Sequence, residues 1–299
     1  MPAWSWWRIL RRLPRLLGIT LWYTARTAWQ ARRLPPEQRP LYRARRLQEG
    51  CQILCRLMGI AVRASDSPLP EGRPGLLVAN HFSALDPVVL ATCWPVAFVG
   101  KAELARWPLI GWLCRTYGVL FVERARRTRS LTFVQQIQER IKARVPVMVF
   151  PEGTTGPAQR VQPFKTGAFE AVAGLPGSWV LPVSLCLQQV DEHRATPELR
   201  RWYAWTEGLS FLRHLLRWLG TRSLQLEVRV GTPIPTADRH RKELARKAYE
   251  QVQALYQEML AEGLTAAAND RIFLSASTKQ TGPDTVSENN PQATDTHLP

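Results

Sequence analysis

An alternation of short apolar runs with helical patterns, which extends from residue 75 to residue 262, most constrains the fold of this chain. Most of the runs are continuously apolar, as expected for strands that are buried on both faces. Such strands, when helices separate them, are typical of a mostly parallel sheet flanked by helices. The sequence therefore predicts an α/β fold. The predicted strands lie at residues 75–80, 96–100, 118–123, 145–151, 179–185 and 224–230, and the predicted helices at 128–144, 207–219 and 239–262.

Polar residues that follow these runs are candidates for a common site, because ligands of parallel sheets bind beyond the carboxyl ends of the strands. His81 and Asp86 follow the first run, with four residues between them. An aspartate bonded to one imidazole nitrogen sets the tautomer and makes the other nitrogen a better base for a hydroxyl proton. The alternative is a histidine that caps the next helix, with Asp86 in its first turn. These two residues alone leave both interpretations open.

Two further strand ends carry polar residues. Residues 150–156, FPEGTTG, place Glu152 in a turn whose glycines and hydroxyl groups free backbone N–H groups to face an anion. Residues 118–124, GVLFVER, end on Arg124, and arginine is suited to bidentate phosphate binding. The alternatives are an ordinary turn for the first segment and a solvated basic loop for the second.

No nucleophile motif accompanies His81. The chain has no G-x-S-x-G, no G-x-x-x-x-G-K-[ST] and no G-x-G-x-x-G sequence. A histidine base without a serine of its own indicates that the substrate supplies the hydroxyl group. The pattern therefore favours group transfer onto an alcohol over a covalent hydrolase.

Positive charge is concentrated near the amino terminus. The chain has a net charge of +16, and residues 1–63 contain thirteen arginines and two acids, which is 13 − 2 = +11. Arginine mixed with tryptophan and leucine is typical of a membrane interface, whereas a basic helix that binds nucleic acid is the alternative. We expect membrane lipids and no nucleic acid as partners. The aromatic residues concerned are Trp4, Trp6, Trp7, Trp22, Tyr23 and Trp29.

The amino-terminal segment is predicted to form a helical hairpin, with helices at residues 3–33 and 41–60. Its longest charge-free run, residues 16–25, is shorter than the ~20 residues that span a bilayer. We therefore expect a monotopic protein on the cytoplasmic face of the inner membrane. No signal peptide is predicted.

Three parts are predicted along the chain. Residues 1–66 form the hairpin at the membrane interface, residues 67–263 form the α/β domain, and residues 264–299 form a disordered tail, because they have few large apolar residues. The five cysteines include no C-x-x-C pair, so neither a disulfide framework nor a metal site is expected.

Four blocks of the sequence, in this order, resemble those of the glycerolipid acyltransferase family, which includes the 1-acyl-sn-glycerol-3-phosphate acyltransferases. The resemblance covers residues 75–234. The blocks are N-H-x4-D at Asn80, His81 and Asp86; G-x-x-F-x-x-R at Gly118, Phe121 and Arg124; F-P-E-G-T at residues 150–154, followed by PFKTG at 163–167; and a V-x-P-type strand at 180–183.

The resemblance implies a fold, an activity and roles for residues. It implies transfer of an acyl group from acyl-CoA or acyl carrier protein to the free hydroxyl of a lysolipid, without a cofactor. His81 is then the catalytic base and Asp86 orients it, while backbone donors near the turns stabilise the oxyanion. The residues implied in acceptor or phosphate binding are Arg124, Glu152, Gly153, Thr154, Lys101, Gly118 and Lys165.

One departure from the family bears on the acceptor. Many members with a phosphate acceptor continue the third block as G-T-R-S, whereas this chain has Thr155 and Gly156. The variant resembles bacterial lyso-ornithine lipid acyltransferases. Lysophosphatidate, the commonest acceptor of the family, is expected first, with phosphatidic acid as product. Lyso-ornithine lipid is the alternative, as is a non-catalytic, basic membrane-binding protein on the same fold.

Overall fold

The computed structural model describes residues 5–65, 68–72, 74–122, 129–206 and 208–278. Its strands are β1 (Ile60–Ala64), β2 (Leu76–Ala79), β3 (Ala97–Lys101), β4 (Leu120–Val122), β5 (Val147–Val149), β6 (Trp179–Val190), β7 (His193–Arg194), β8 (Leu224–Val230) and β9 (Ile234–Pro235). Its helices are α1 (Trp6–Arg33), α2 (Arg39–Met58), α3 (Asp86–Cys93), α4 (Pro108–Tyr117), α5 (Arg129–Lys142), α6 (Pro197–Tyr203), α7 (Phe211–Gly220) and α8 (Arg241–Thr278), with 3-10 helices at Ala102–Arg106 and Ala168–Ala171.

The strands form one mostly parallel sheet, which confirms the predicted fold class. The order is β1-β8-β6-β2-β5-β3-β4, and β7 and β9 pair with β6. β2 lies parallel between β5 and β6, and β3 pairs in parallel with β4 and β5. The antiparallel pairs all involve β6, which pairs with β7, β8 and β9. All six predicted apolar runs contain a strand.

The sheet is covered on both faces, as the continuous apolar runs predict. Alternate residues of β2 enter separate cores: Leu77 and Ala79 pack in one, and Leu76 and Val78 pack in the other. Successive side chains of a strand point to opposite faces, so the two cores lie on the two sides of the sheet. Every residue of β2 is fully buried.

Strand β1 was not predicted. It pairs in parallel with β8, and Ile60 alone among its five residues is buried. Because an edge strand is paired on one side and partly solvated, it does not have the continuous apolar run that identifies a central strand. β1 follows α2 directly, so the chain passes from the amino-terminal helices into the sheet at this edge.

Helices α1 and α2 pack against each other, as predicted, and α1 also packs against the α/β domain. Arg12 of α1 donates hydrogen bonds to the carbonyl oxygens of Leu219, Thr221 and Arg222. The opposite face of α1 exposes large apolar side chains. They are Trp6, Trp7, Leu10, Leu17, Leu21, Trp22 and Trp29.

Within the described ranges, no helix combines the length and the apolar character that a membrane span requires. The membrane binding of the amino-terminal helices remains a prediction. The chain divides into two compact units, Met1–Gly263 and Leu264–Pro299, and the candidate site lies in the first. Helix α8 ends at Thr278, and residues 279–299 of the predicted tail lie outside the described residues, so the disorder of the tail also remains a prediction.

Candidate active site

The carboxyl ends of β2 and β5 lie side by side, because Val78 of β2 pairs with Val149 of β5. His81 follows the first strand and Phe150 follows the second. Their rings stack with centroids 4.1 Å apart and an interplanar angle of 21°. The segments that follow these two strands therefore lie together at one edge of the sheet, and the polar residue of the second segment, Glu152, contacts the backbone N–H of His81.

His81 is hydrogen-bonded to Asp86. Nδ1 of the imidazole lies 2.9 Å from Oδ2 of the carboxylate. Asp86 is the first residue of α3 and is completely buried. The capping residue of this helix is Leu85, and no side chain caps it. His81 therefore does not act as a helix cap, although Asp86 does lie in the first helical turn.

In the described part of the chain, four groups contact the Asp86 carboxylate. Oδ2 accepts bonds from the backbone N–H groups of Phe82 and Ser83, at 2.7 and 2.8 Å, in addition to its contact with His81. Oδ1 accepts a bond of 2.6 Å from the hydroxyl of Tyr203. A buried carboxylate is costly without hydrogen-bond partners, and these four contacts hold it in a fixed orientation beside the imidazole.

The other nitrogen of His81 is available for chemistry. Nδ1 is occupied by Asp86, and Nε2 has no hydrogen-bond partner in the described part of the chain. The His81 side chain is 19% exposed and lines a cavity of about 930 Å³. A base that has one oriented nitrogen and one exposed nitrogen is arranged to take a proton from a bound hydroxyl group.

The cavity brings together several of the predicted site residues. Its volume is within the usual range for a small-molecule site. Much of its remaining lining is apolar and includes residues from α2, α4, β3 and β4. The predicted residues on the lining are His81, Lys101, Gly153, Thr154 and Lys165, and the apolar ones include Leu47, Phe98, Leu104, Leu113, Tyr117 and Val119.

Among the described residues of this lining, two lysine side chains are positively charged and no carboxylate is present. They are Lys101 and Lys165, and both are exposed. Lys165 also donates its backbone N–H to Pro151 O, at 2.9 Å. An anionic group of a substrate in the cavity would be stabilised by the positive charge of these lysines. In the described residues, no group of three His, Cys, Asp or Glu side chains is placed to hold a metal ion.

Gly153 allows Lys165 to approach the turn that follows β5. Its backbone has a φ of 76°, which L side chains rarely adopt. A Cβ atom added at Gly153 would lie 2.9 Å from Nζ of Lys165. A residue with a Cβ atom at this position would strain the turn and require the flexible Lys165 side chain to shift.

Glu152 lies behind His81 and does not line the cavity. Its side chain is buried; Oε1 accepts the backbone N–H of His81 at 2.7 Å, and Oε2 accepts the backbone N–H of Gln162 at 2.8 Å. Burial raises the pKa of Glu152 to about 8, although both N–H donors act in the opposite direction. Glu152 therefore holds the backbone of the candidate base, and its predicted contact with the acceptor remains a prediction.

Gly118 and Arg124 belong to the same predicted block. Gly118 ends α4 in a left-handed conformation, with φ 74°. It precedes β4 and so lies at the amino end of that strand, whereas His81 lies at the carboxyl edge of the sheet. Arg124 lies outside the described residues. The acceptor-binding roles predicted for both residues remain predictions.

Two aromatic residues near His81 were not predicted. Tyr203 ends α6, and Trp205 follows it and lines the cavity. Trp205 donates its backbone N–H to Phe82 O at 2.7 Å, and its carbonyl oxygen accepts the hydroxyl of Thr155 at 2.5 Å. No motif marks them; the sequence signal was an aromatic segment, WYAW at 202–205.

The chain is similar to proteins of known activity. A family model described as Acyltransferase matches residues 61–186. The lyso-ornithine lipid O-acyltransferase of Brucella abortus is 36% identical over 70% of this chain and 80% of that protein. The lyso-ornithine lipid O-acyltransferase of Pseudomonas aeruginosa is 31% identical over 82% and 92% of the two chains. A 1-acyl-sn-glycerol-3-phosphate acyltransferase of Neisseria meningitidis is 32% identical over 40% of this chain and 46% of that protein.

The fold is also similar to a solved structure. The crystal structure of the 1-acyl-sn-glycerophosphate (LPA) acyltransferase from Thermotoga maritima matches with a TM-score of 0.59 and 21% sequence identity. The match covers 84% of this chain and 98% of that one. At this identity the likeness concerns the fold alone.

Proposed function

The chain belongs to the acyltransferase family, and from this membership we propose that it transfers an acyl group from a thioester to the free hydroxyl group of a lysolipid. The observation that carries the proposal is the His81–Asp86 pair. Asp86 contacts Nδ1 of His81 and leaves Nε2 free, and His81 lines a largely apolar cavity. Acyl-CoA and acyl carrier protein are the proposed donors, and the reaction requires no cofactor.

The geometry supports a direct transfer. Nε2 of His81 accepts the proton of the acceptor hydroxyl while the oxygen of that hydroxyl attacks the carbonyl carbon of the thioester. The Asp86 carboxylate stabilises the imidazolium that forms. The tetrahedral intermediate then expels the thiolate, which takes the proton from His81. Gly153 and Thr154 line the same cavity, so the turn that contains them is the candidate for stabilising the oxyanion.

The apolar part of the cavity suits a fatty acyl chain. Its lining includes Leu47 and Cys51 from α2 and Leu113 and Tyr117 from α4. Transfer of an acyl chain out of water into such a site is favourable by about 0.8 kcal/mol for each CH₂ group. A chain bound there, with its thioester near His81, would place the reactive carbonyl at the carboxyl edge of the sheet.

We propose lyso-ornithine lipid as the acceptor, ahead of the lysophosphatidate expected from the sequence. Relatives with that named activity match over most of their length, whereas the Neisseria meningitidis relative that acts on the phosphate acceptor matches over less than half. Thr155 also supports it, since a threonine there adds no cation to the cavity. Lys101 and Lys165 could pair with the single carboxylate of an ornithine head group. The same lysines keep lysophosphatidate as the second candidate.

The exposed face of α1 supports a location at the membrane. Tryptophan and leucine side chains on this face lie beside arginines, and the guanidinium carbon of Arg33 is 3.4 Å from the ring centroid of Trp29. Such a helix binds in the plane of the interface, where apolar side chains enter the lipid and basic ones face anionic head groups. We propose that α1 holds the protein on the cytoplasmic face of the inner membrane, where both lipid substrate and product reside.

An acceptor panel tests the proposal. Purified full-length protein is offered lyso-ornithine lipid, lysophosphatidate, glycerol 3-phosphate and a lysophospholipid, each with labelled acyl-CoA or acyl carrier protein. We expect the highest kcat/KM with lyso-ornithine lipid. A higher value with lysophosphatidate would overturn the acceptor and leave the acyl transfer standing. If none of the four acceptors were acylated, the proposed function would be overturned.

His81→Ala tests the catalytic base. We expect kcat to fall by a factor between about 10² and 10⁴, because a positioned general base contributes a factor of this size. Liposome binding and the circular dichroism spectrum should be unchanged. The matched control is His193→Ala, which removes an exposed histidine from β7 and should leave kcat unaltered. A His81→Ala variant as active as this control would exclude His81 as the base.

A further inference from the structure

Tyr203 contacts the Asp86 carboxylate from outside the four sequence blocks. Its hydroxyl donates to Oδ1 at 2.6 Å. His81 Nδ1 and the N–H groups of Phe82 and Ser83 all contact the other oxygen, Oδ2. In the described part of the chain, Tyr203 is thus the hydrogen-bond donor to Oδ1. Tyr203 is 117 positions from Asp86 along the sequence, and it belongs to no motif that includes the H-x4-D block.

The hydroxyl of Tyr203 remains protonated and can act as a donor. The side chain is 2% exposed. Burial, and then the negative charge of Asp86, raise the pKa of Tyr203 well above its ordinary value. A phenol whose pKa is raised in this way keeps its proton, so the Tyr203 hydroxyl is the donor in the bond to Oδ1.

The backbone on both sides of Tyr203 is anchored. Before it, Arg200 of α6 donates its Nε to Leu187 O on β6, at 3.3 Å. After it, Trp205 donates its backbone N–H to Phe82 O, at 2.7 Å. Phe82 is the residue next to His81. The tyrosine is therefore held against the same loop whose aspartate it contacts.

We propose that Tyr203 is a positioning residue for the acyl transfer, which keeps the Asp86 carboxylate rotated so that Oδ2 faces Nδ1 of His81. The proposal rests on the proposed function. A carboxylate whose Oδ2 alone is satisfied has a buried, charged oxygen without a partner, which is costly. Rotation of the carboxylate or entry of water would relieve this cost, and either change weakens the contact with His81.

Tyr203→Phe removes the hydroxyl and keeps the ring. We expect kcat to fall about 10-fold or more, the effect of losing a hydrogen bond to a charged group. The KM values for donor and acceptor should change by less than about 2-fold, because Tyr203 contacts Asp86 and does not line the cavity. The full-length protein is assayed well below its Tm, so that the folded fraction does not affect kcat.

The matched control is Tyr256→Phe. Tyr256 is 1% exposed, its hydroxyl donates to Ala158 O at 2.7 Å, and its ring packs 5.1 Å from that of Phe82. The control removes the same group from a similar environment near the site, without touching Asp86. We expect its kcat to stay within about 2-fold of the unmodified protein, since a hydroxyl bonded to a backbone carbonyl acts on stability.

A double-mutant cycle separates positioning from structural support. In an Asp86→Asn background, Tyr203→Phe should lower kcat by less than about 2-fold, because the carboxylate through which it acts is gone. The proposal would be overturned if the double variant lost kcat by the product of the two single factors, since the residues would then act independently. It would also be overturned if Tyr203→Phe and Tyr256→Phe had equal kcat values. If the Phe variant does not fold, Tyr203→Met, which fills the space without a hydroxyl, takes its place with the same expectations. An unmodified protein without transfer activity would instead refute the proposed function.

Discussion

Two buried carboxylates, Asp86 and Glu152, hold the same histidine from different sides. They follow neighbouring parallel strands, β2 and β5, and each accepts a hydrogen bond from His81. Asp86 contacts the imidazole, whereas Glu152 contacts the backbone N–H. Two acids at one edge of a sheet can therefore have separate tasks, which depend on the atom that each one contacts.

The donors around the two carboxylates differ accordingly. Asp86 has four hydrogen-bond contacts in the described residues, and one of them is with the imidazole. It can therefore stabilise the positive charge that forms when His81 accepts a proton. Glu152 has two backbone donors, and its burial raises its pKa to about 8. Glu152 contacts the backbone that follows the strand end and has no hydrogen bond to the imidazole ring. Changes at Asp86 should therefore act most strongly on catalysis, and changes at Glu152 should act less on catalysis and more on the pH dependence of stability.

The largest effect is expected from Asp86→Asn. An amide of the same size cannot hold His81 in the required tautomer or stabilise its charge, and we expect kcat to fall by about 10⁴-fold. The control is Asp191→Asn, because Asp191 also accepts two backbone N–H groups, from Arg222 and Ser223, away from His81. A single-turnover assay with labelled thioester measures both. Asp86→Asn activity above a tenth of the control would contradict the assigned difference.

A smaller effect on rate is expected from Glu152→Gln, about 10-fold in kcat, because one of the two backbone N–H groups loses its acceptor. The pH dependence of stability should change more clearly. Between the ordinary pKa of 4.5 and the raised value of about 8, the folded protein holds a proton that the unfolded chain has lost. The contribution of this group to stability is present below the lower value and is lost as pH rises through the higher one, by at most about 1.4 kcal/mol per pH unit.

Denaturant unfolding at intervals from pH 5 to pH 8 measures this contribution. The variant cannot titrate at position 152, so its free energy of unfolding should fall less steeply with pH than that of the unmodified protein. Equal slopes for both proteins would show that Glu152 is ionised throughout this range. A loss of kcat as large as that of Asp86→Asn would remove the distinction between the two carboxylates.

The smallest effect is expected from Thr155→Val, which removes the hydrogen bond to Trp205 and keeps the shape of the side chain. We expect a loss of about 1 kcal/mol in stability and a rise in KM for the acceptor, because Trp205 lines the cavity. Thr221→Val is the control, since its hydroxyl bonds Trp218 O at 2.6 Å and Thr221 does not line the cavity. An equal change of the acceptor KM in both variants would show that Thr155 has no specific role in acceptor binding.

Central strands could be predicted because they are short and buried on both faces, so their residues are continuously apolar. The residues of β2 show this most clearly, since all four are fully buried. Strands β1, β7 and β9 were missed for the opposite reason. β1 is partly solvated at an edge, and β7 and β9 have two residues each, too few to produce a pattern.

The residues of the site divide in a similar way. The H-x4-D spacing keeps a histidine and an aspartate close along the chain, so a contact between them was one of two local arrangements that the sequence allowed. The backbone contact of Glu152 with His81 could not be foreseen, because it requires β5 to lie beside β2. The G-x-x-F-x-x-R block predicted Gly118 as a site residue. Its left-handed backbone at the end of α4 gives a structural reason for a glycine at this position.

The amino-acid sequence by itself determined the α/β class, the edge of the sheet at which polar residues gather, and the closeness of His81 to Asp86 along the chain. All three follow from patterns within short stretches of chain, where burial and spacing are local properties. The tertiary structure decided that Tyr203 supplies the bond to Oδ1, that Glu152 holds the backbone of His81, and that two lysines share one largely apolar cavity. These contacts join residues 117 and 71 positions apart in the first two cases, and they exist because the packing of the strands and helices, which no local pattern encodes, brings those positions together.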